Sequence, residues 1–494
     1  MYHSNWRTPP TARARVGPPP GRRPTSAGRT LRAAALLAAA FPGTGHAQTG
    51  RLTATRDAAS IAHPAAGTIA MPPRDRRDTT ELGALVAAAL AANPAVRAAR
   101  ARVEAARARV GPAGLRPDPA LTVGLRDFPL SRPGFYDDFT MKMVGVSQTI
   151  PYPGKLGLQR RLAERDVEAA GAAASAVSLQ IARDVRAAAY EIAFIDRALD
   201  VVARNRNVLV DLIKVTEARY AVGTAGQQDV LRARVEASRL AEQAVTLTEQ
   251  RRAALAQLNA ALNRPGDAPV PPQTIPARIA RAAVADSAVH VRFASAALGA
   301  RAADSPLPPL AELQATAVRE SPVLREHEAM IAAQAARVAL ARKDERPDVD
   351  VSLEYGQRAG YRDLVTATVS IPLRLQKGRK QDQLVIAARG DLTALEAEHD
   401  ARRNAIRADV ARLDAELERQ RAQLALYKAS IIPQGRASLT SALASYQVGR
   451  VEFLTLLDNQ STLFTYETEY FRVLTDFAKT LAELERVVGQ EILP

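Results

Sequence analysis

The sequence contains few side chains that could perform chemistry. It has no cysteine, and the four histidines that follow residue 47 have no paired spacing: His63, His290, His327 and His399. The absence of cysteine excludes disulfides, thiolate metal sites and a cysteine nucleophile. The nucleophile-elbow, phosphate-loop and His-Glu-x-x-His motifs are also missing. We therefore predict that the protein is not an enzyme and has no catalytic residue, no cofactor and no metal centre.

Two methionines are the nearest approach to a site for a soft metal ion. Met141 and Met143 fall on one face of a predicted strand, and thioethers are ligands for Cu(I). Methionine also fills irregular gaps between packed elements. Packing is the favoured interpretation, with a copper site as the alternative.

The charge balance does not indicate a nucleic-acid partner. Lys and Arg exceed Asp and Glu by 67 to 52, but residues 1–47 contain seven Arg and no acid, which leaves +8 of the +15 for the rest. Elsewhere the signs alternate along predicted helices, whereas a binding surface would cluster one sign. The abundance of Arg and Ala is typical of a GC-rich coding bias. An apolar content of 47% is enough for a packed core.

The N-terminus has the layout of an export signal. An Arg- and Pro-rich segment precedes a short apolar run at 33–41, then Pro42, Gly43 and small residues up to Ala47. This pattern predicts a signal peptide over 1–47 with cleavage after Ala47. The Arg22-Arg23 pair leaves open a twin-arginine signal, and a disordered basic tail is a further alternative. Residues 48–80 are predicted to be disordered.

An internal duplication is the strongest pattern in the chain. The landmarks of a first copy recur in the same order in a second: Asn93-Pro94 as Ser321-Pro322, Arg116-Pro117-Asp118 as Arg346-Pro347-Asp348, Ile150-Pro151 as Ile371-Pro372, and Tyr220-Ala221-Val222-Gly223 as Tyr446-Gln447-Val448-Gly449. We place one copy at 81–262, a Pro/Ala-rich linker at 263–309, and the other copy at 310–494.

Each copy is predicted to form two helices, two strands and a hairpin of long helices. Helices are expected at 81–92, 94–111, 310–320 and 322–343, strands at 120–126, 139–150, 349–355 and 365–371, and the return helices at 226–262 and 450–490. Residues 154–223 contain no internal proline and carry a heptad seam, so this helix is about 100 Å long. Pro433 should kink its counterpart without ending it.

The strands alternate apolar and polar residues, as outer-membrane strands do, although half-buried strands of soluble proteins alternate too. No run of 18 apolar residues predicts a spanning helix. Four strands per chain cannot close a barrel, and unpaired edges are excluded from lipid. Three chains would supply twelve strands and enough long helices for a hollow conduit.

Several local motifs in this framework resemble the TolC family of outer-membrane efflux ducts. They are Ser-Gln-Thr-Ile-Pro-Tyr-Pro-Gly-Lys-Leu at 147–156, Ile-Pro-Gln at 432–434, Ser-Tyr-Gln-Val-Gly at 445–449 and Leu-Leu-Asp at 456–458. The resemblance covers about 81–491, and the Pro-Tyr-Pro-Gly-Lys-Leu version is similar to the CzcC- and CusC-like heavy-metal branch.

The resemblance implies a mainly α chain with a small transmembrane β portion. Three copies would form a 12-stranded barrel in the outer membrane, continued by an α-helical tunnel across the periplasm. The implied partners are a periplasmic adaptor and an inner-membrane RND-type pump, besides outer-membrane lipid. Many members carry a lipidated N-terminal Cys, and this sequence contains no Cys.

The resemblance also points to two tip turns as adaptor contacts. A Val-Gly-Leu/Thr turn in each copy has this role in the family, and the corresponding residues here are Val222, Gly223, Thr224, Val448, Gly449 and Arg450. The second turn departs from the pattern at Arg450. Each glycine has an alternative role as a plain helix C-cap.

Three further residues align with the family's periplasmic aperture. Asp458 matches one acid of the aperture ring, and Thr455 replaces the other. Asp229 and Tyr446 match a pair that ties the two turns together, as a phenol donating to a carboxylate would. The alternative for both acids is a solvated charge near a helix N-terminus.

Two other protein classes share part of this pattern. A periplasmic adaptor carries one helical hairpin flanked by small β domains, without a duplication of the whole chain. A cytoplasmic coiled-coil scaffold would explain the heptads but neither the signal peptide nor the paired strands.

Overall fold

A computed structural model describes residues 81–130, 134–135, 139–284 and 307–493; the predicted signal peptide and the predicted disordered segment at 48–80 lie outside them. The first copy comprises α1 (Glu81–Ala92), α2 (Pro94–Ala113), β1 (Ala120–Arg126), β2 (Met141–Ile150), α3 (Lys155–Ala221) and α4 (Gln227–Ala261). Helix α5 (Ala277–Val284) follows. The second copy comprises α6 (Leu310–Glu320), α7 (Pro322–Lys343), β3 (Val349–Arg358), β4 (Leu364–Ser370), α8 (Gln381–Leu426), α9 (Ile432–Gln447) and α10 (Phe453–Val488).

The element order repeats between the copies, which confirms the predicted duplicated fold of helical hairpins and paired strands. Helix α5 is an addition, since the sequence predicts no helix between the copies. Its Ile279, Ala282 and Ala283 are buried in a core shared with the second copy. At eight residues the helix is too short for its periodicity to stand out from a Pro/Ala-rich segment.

The Asn93-Pro94 landmark forms the corner between α1 and α2. Pro94 occupies the first turn of α2, where a missing N–H leaves no bond unmade. The Asn93 side chain accepts the Ala95 N–H at 2.8 Å and donates to the Ala261 carbonyl at 2.8 Å. One side chain therefore caps α2 and fastens the end of α4.

The long helices bury the predicted seams. Helix α3 has 67 residues, which corresponds to about 100 Å, and α8 with α9 is equally long from Gln381 to Gln447. Seam residues in both copies are almost completely buried: Val185, Ile192, Ile195, Val202, Val410, Leu413, Leu417 and Leu424. Among the described residues no single helix is long and apolar enough to cross a membrane, although α1 and α2 reach that length and composition when counted together across a 51° bend.

A π-helical turn at Tyr427–Ile431 separates α8 from α9. Pro433 lies just beyond it, and proline has no N–H to donate to the preceding turn. A π turn is a common single-turn insertion within an α-helix, and here it accompanies the missing hydrogen bond. The helix continues through Pro433, as predicted, and the observed irregularity is this π turn.

The four strands form one antiparallel sheet in the order β1-β2-β3-β4. The central pairing, β2 with β3, joins the two copies, with Met141 opposite Arg358 and Ile150 opposite Val349. Strands β1 and β4 form the two edges. The sheet is therefore a continuous surface to which each copy contributes two strands.

The two faces of this sheet have different chemistry. One face carries apolar rows, Leu121–Val146–Leu353–Ala367 and Val123–Val144–Tyr355–Val365. The other face carries small or polar rows, Ala120–Ser147–Ser352–Thr368 and Thr122–Gly145–Glu354–Thr366. The apolar face is uncovered within the described chain, with Leu121 69%, Val123 70% and Val365 69% exposed. A soluble half-buried sheet would cover these side chains, so the outer-membrane interpretation of the alternation is favoured.

The Pro-Tyr-Pro-Gly-Lys motif forms the corner where β2 leads into α3. Lys155 follows Gly154, whose φ is +89°, and its side chain is only 5% exposed. Its ammonium group lies 2.8 Å from the Asp344 carboxylate and 2.9 Å from that of Asp348. Burial acts to lower the pKa of Lys155, but the two carboxylates outweigh it and leave the pKa above its usual value. Asp348 also accepts the Tyr152 N–H at 2.7 Å, so this corner fastens one copy to the other.

Replacement of this ammonium group should destabilise the chain. Lys155→Met leaves Asp344 and Asp348 without their cation, and because both acids keep access to water we expect a loss of about 1–2 kcal/mol. The matched control is Lys214→Met, which removes an exposed pair with Asp211 and should change stability by less than about 0.5 kcal/mol. Thermal and urea unfolding in detergent, followed by circular dichroism, would measure both. Equal losses in the two variants would contradict the assigned role.

Candidate functional site

The two predicted tip turns have the same backbone structure. After α3, the Thr224 N–H donates to the Arg219 carbonyl at 2.8 Å and the Gly223 N–H to the Tyr220 carbonyl at 2.9 Å. After α9, Arg450 and Gly449 repeat the two bonds to Ser445 and Tyr446 at 2.9 and 3.0 Å. Both are Schellman motifs, in which the glycine takes a left-handed conformation. Gly223 and Gly449 have φ values of +77° and +72°.

Each turn presents an apolar side chain to solvent. Val222 is 73% exposed and Val448 is 68% exposed, while Thr224 and Arg450 beside them are exposed as well. Gly223 and Gly449 are thus helix C-caps, which is the alternative role that the sequence analysis gives them. The same caps hold two valines outward at the ends of the hairpins.

A contact between the copies lies just behind these turns. The Arg219 guanidinium stacks on the Tyr446 ring, 4.6 Å from its centroid, and donates to the Tyr446 carbonyl. The Tyr446 hydroxyl donates to the Thr216 hydroxyl at 3.3 Å, and the ring packs 5.7 Å from that of Phe453. Tyr446 is only 3% exposed. Arg219 therefore joins the tip of α3 to the tip of α9 by stacking and hydrogen bonding.

The predicted bond between Tyr446 and Asp229 is not formed within the chain. The Tyr446 hydroxyl points to Thr216 instead, and Asp229 lies in the first turn of α4. The turns are still tied together through Tyr446, but the partner is Arg219. One feature of the sequence could have pointed to Arg219. The equivalent residue in the other copy is Ser445, so the two turns differ at this position.

The two acids predicted to lie at the aperture differ in exposure. Asp458 is exposed on α10, close to Thr455, and Asp229 is half-buried. Among the described residues, neither carboxylate has an ion pair or a side-chain hydrogen bond. Both lie near helix starts, where the helix dipole favours a negative charge. The structure of one chain is compatible both with a role at the aperture and with a solvated charge near a helix N-terminus.

The metal alternative finds no support in the described residues. No group of three or more His, Asp or Glu side chains there could hold a metal ion. Met141 and Met143 are each 9% exposed, and Met143 lies between Gly124 and Gly356 in neighbouring strands. A Cβ on Gly356 would lie 2.6 Å from the Met141 sulfur. The methionines fill space that the glycines leave, which agrees with the packing interpretation.

The family model for outer membrane efflux proteins matches the chain twice, at residues 85–264 and 313–490. Together these segments cover most of the sequence. The chain belongs to the outer membrane efflux protein family. The resemblance to TolC-family ducts is therefore confirmed, and the family consists of outer-membrane channels.

A curated relative supports the predicted heavy-metal branch. The chain is 25% identical over 186 residues to the cobalt-zinc-cadmium resistance protein CzcC of Cupriavidus metallidurans. The match covers 37% of this chain and 44% of CzcC, so it spans less than half of that relative.

Solved channels share the fold over most of its length. CusC superposes with a TM-score of 0.67 at 16% identity, covering 83% of this chain and 92% of CusC. VceC of Vibrio cholerae superposes with a TM-score of 0.66 at 17% identity, covering 83% of this chain and 97% of VceC. The open-state MtrE channel of Neisseria gonorrhoeae superposes with a TM-score of 0.63 at 17% identity, covering 83% of this chain and 89% of MtrE. The chain therefore shares the fold of these channels, including the helical hairpins and the sheet described above.

Loss of the Arg219 contact should loosen the second tip turn. Arg219→Ala removes the stacking and the donor to the Tyr446 carbonyl, so we expect amide hydrogen exchange across 444–452 to accelerate about tenfold or more. Arg234→Ala is the control, because Arg234 lies near the same tip but pairs with Glu217 at 2.8 Å within the first copy. Mass-spectrometric exchange on both variants would measure the change. Unaltered exchange in Arg219→Ala would contradict the contact.

Proposed function

We propose that the protein is the outer-membrane duct of a tripartite efflux system. Three copies form a passive channel that carries substrates from an inner-membrane pump and a periplasmic adaptor to the exterior, with no catalytic step. The observation that carries the proposal is the sheet with one uncovered apolar face and one polar face, continuous with helices about 100 Å long. Such a chain suits lipid outside, water inside and a passage across the periplasm.

The tips suit contact with a periplasmic adaptor. Val222 and Val448 are exposed apolar side chains at the ends of the hairpins. Identical Schellman turns present them in both copies, so three chains would offer six similar contacts to an adaptor of matching symmetry. Arg450 in place of Thr224 would make every second contact basic.

Heavy-metal cations are the substrate class we propose. The CzcC relative is named for cobalt, zinc and cadmium resistance. In a trimer, three copies of Asp458 around the axis would attract cations and repel one another. A channel for such ions needs weak contacts of this kind, because tight binding would slow passage.

The first test is location, assembly and conductance. Outer-membrane fractionation and sizing should yield a trimer, and the purified protein in a planar bilayer should give a cation-preferring pore that is mostly closed. A soluble monomer without conductance would overturn the proposal in favour of an adaptor or a coiled-coil scaffold.

Removal of the aperture acid should change the same conductance. We expect Asp458→Ala to lower the preference for cations and to increase the open fraction, because the repelling ring of charge is lost. Asp211→Ala is the control, since Asp211 is an exposed acid of α3 that pairs with Lys214. Reversal potentials in asymmetric salt would measure selectivity. Equal changes in both variants would reject Asp458 as the aperture residue.

Acidic substitutions at the tips should abolish efflux but preserve the channel. The double variant Val222→Asp and Val448→Asp is expected to reduce export of zinc or cobalt from preloaded cells at least tenfold, because charge replaces the apolar contact. Val245→Asp is the control, an equally exposed position along α4. Export at the control level, with normal membrane content, would exclude the tips as the adaptor contact.

A further inference from the structure

Four charged side chains lie on the polar face of the sheet within the described strands: Arg126, Asp350, Glu354 and Arg358. They are sorted by sign along the strands. The two arginines lie in the row at the loop end, and the two acids lie in rows nearer the helices. The polar face therefore changes from basic to acidic along the length of a strand.

Two of these side chains meet across the sheet. Arg126 Nη2 lies 2.6 Å from Glu354 Oε2. The residues belong to β1 and β3, which β2 separates, so their backbones are about 9–10 Å apart. The ion pair therefore crosses the middle strand and joins a strand of the first copy to a strand of the second.

A glycine in the middle strand makes room for this crossing. Gly145 lies directly opposite Glu354, and a Cβ built on Gly145 would lie 2.8 Å from the Glu354 Cγ. Any larger residue there would displace the glutamate. The pair is still open to water, because the side chains of Arg126 and Glu354 are 42% and 23% exposed. Ions on this face can therefore reach the carboxylate.

The other two charges of the polar face have partners close to them in their own hairpin or row. Arg358 donates from Nε to the Arg362 carbonyl at 2.8 Å, and its guanidinium lies 5.6 Å from the centroid of the Tyr361 ring. Asp350 accepts the Thr149 hydroxyl at 2.5 Å. The pair that crosses the sheet is thus the place where removal of one side chain would expose one opposite charge.

We propose that Glu354 is a contact site for metal cations in transit, and that Arg126 weakens this site by holding the same carboxylate in an ion pair. The proposal rests on the proposed function, since it requires three copies with their polar faces around the passage. Rings of carboxylates favour cations and rings of arginines favour anions. A passing cation would take the place of the guanidinium at the carboxylate, and the guanidinium would return as the cation leaves.

The weakness of the pair suits this exchange. An ion pair that keeps access to water adds little net stability, so a divalent cation can compete for the carboxylate. Three unpaired carboxylates around one passage would hold divalent cations more tightly, because no positive charge would offset their field. Passage requires both entry and release, and the arginine favours release.

The two single variants should change ion selectivity in opposite directions. In planar bilayers with a KCl gradient, we expect Arg126→Gln to raise the preference for K⁺ over Cl⁻ about two- to threefold, and Glu354→Gln to lower it by a similar factor. The double variant should lie close to the wild type. A pair that served only to hold the strands together would shift both single variants in the same direction, and that result would overturn the proposal.

Lys142→Gln is the matched control. Lys142 lies at the same end of the sheet but on the apolar face, opposite Leu125, and its ammonium group is 5.2 Å from the centroid of the Phe135 ring. This variant loses the same charge as Arg126→Gln, and its selectivity should equal that of the wild type. An equal shift in both variants would show an effect of net charge alone and would overturn the assigned site.

Cobalt ions test the site itself. CoCl₂ added on the loop side should reduce the K⁺ current of Arg126→Gln at a several-fold lower concentration than that of the wild type. The added Glu354→Gln substitution should remove this sensitivity, because the carboxylate is lost. If the double variant remains as sensitive as Arg126→Gln, the cation binds elsewhere and Glu354 is rejected.

Conductance also separates this proposal from the proposed function. A conducting trimer whose selectivity is the same in the wild type and in both single variants rejects the site and leaves the duct. Absence of conductance and of outer-membrane location rejects the duct, and the site with it. Thermal unfolding of all variants should match the wild type, because an exposed ion pair contributes little to stability.

Discussion

The pairing of β2 with β3 is the interaction on which the rest of the structure depends. These strands belong to different copies, and their backbone hydrogen bonds create one sheet from two half-sheets. The corner of Lys155, Asp344 and Asp348 then fixes the direction in which α3 leaves that sheet. A helix of 67 residues magnifies any change of that direction at its far end. The corner at the sheet must therefore be rigid if the hairpin tips are to lie in a defined place.

The two copies are alike in backbone and different in side chains where they meet. Both tips end in the same hydrogen-bonded turn, but only the first copy supplies an arginine that reaches across to the second. Arg219 covers the ring and the carbonyl of Tyr446, and Tyr446 completes its bonding with Thr216. Duplication supplies the symmetric scaffold, and substitutions in one copy make it asymmetric at the tip.

The sequence predicts most of the fold because each long element has a strong period of its own. The seam around Ile192 and Ile195 and the alternation at 349–355 depend on neighbours in the chain, so local patterns reveal them. Helix α5 has too few residues to show a period. The contact of Arg219 with Tyr446 joins residues 227 positions apart, and no local pattern encodes such a distance. Within the chain the Tyr446 hydroxyl bonds Thr216 and not Asp229, because alignment with a family transfers positions but not the side chains that compete for them.

The unequal size of side chains on the two faces of the sheet has a consequence for its shape. Near the helices, the polar face carries mostly Ala, Ser, Thr and Gly, besides Asp350 and Glu354, while the apolar face carries mostly Leu, Val and Tyr. Bulk on one side and small side chains on the other would favour a bend of the sheet toward the polar side. Towards the loops the order changes, because Met141, Met143, Arg126 and Arg358 are large residues on the polar face. If three copies close this sheet with the polar face inward, the passage would be wider near the helices than at the loop end, where these four side chains project.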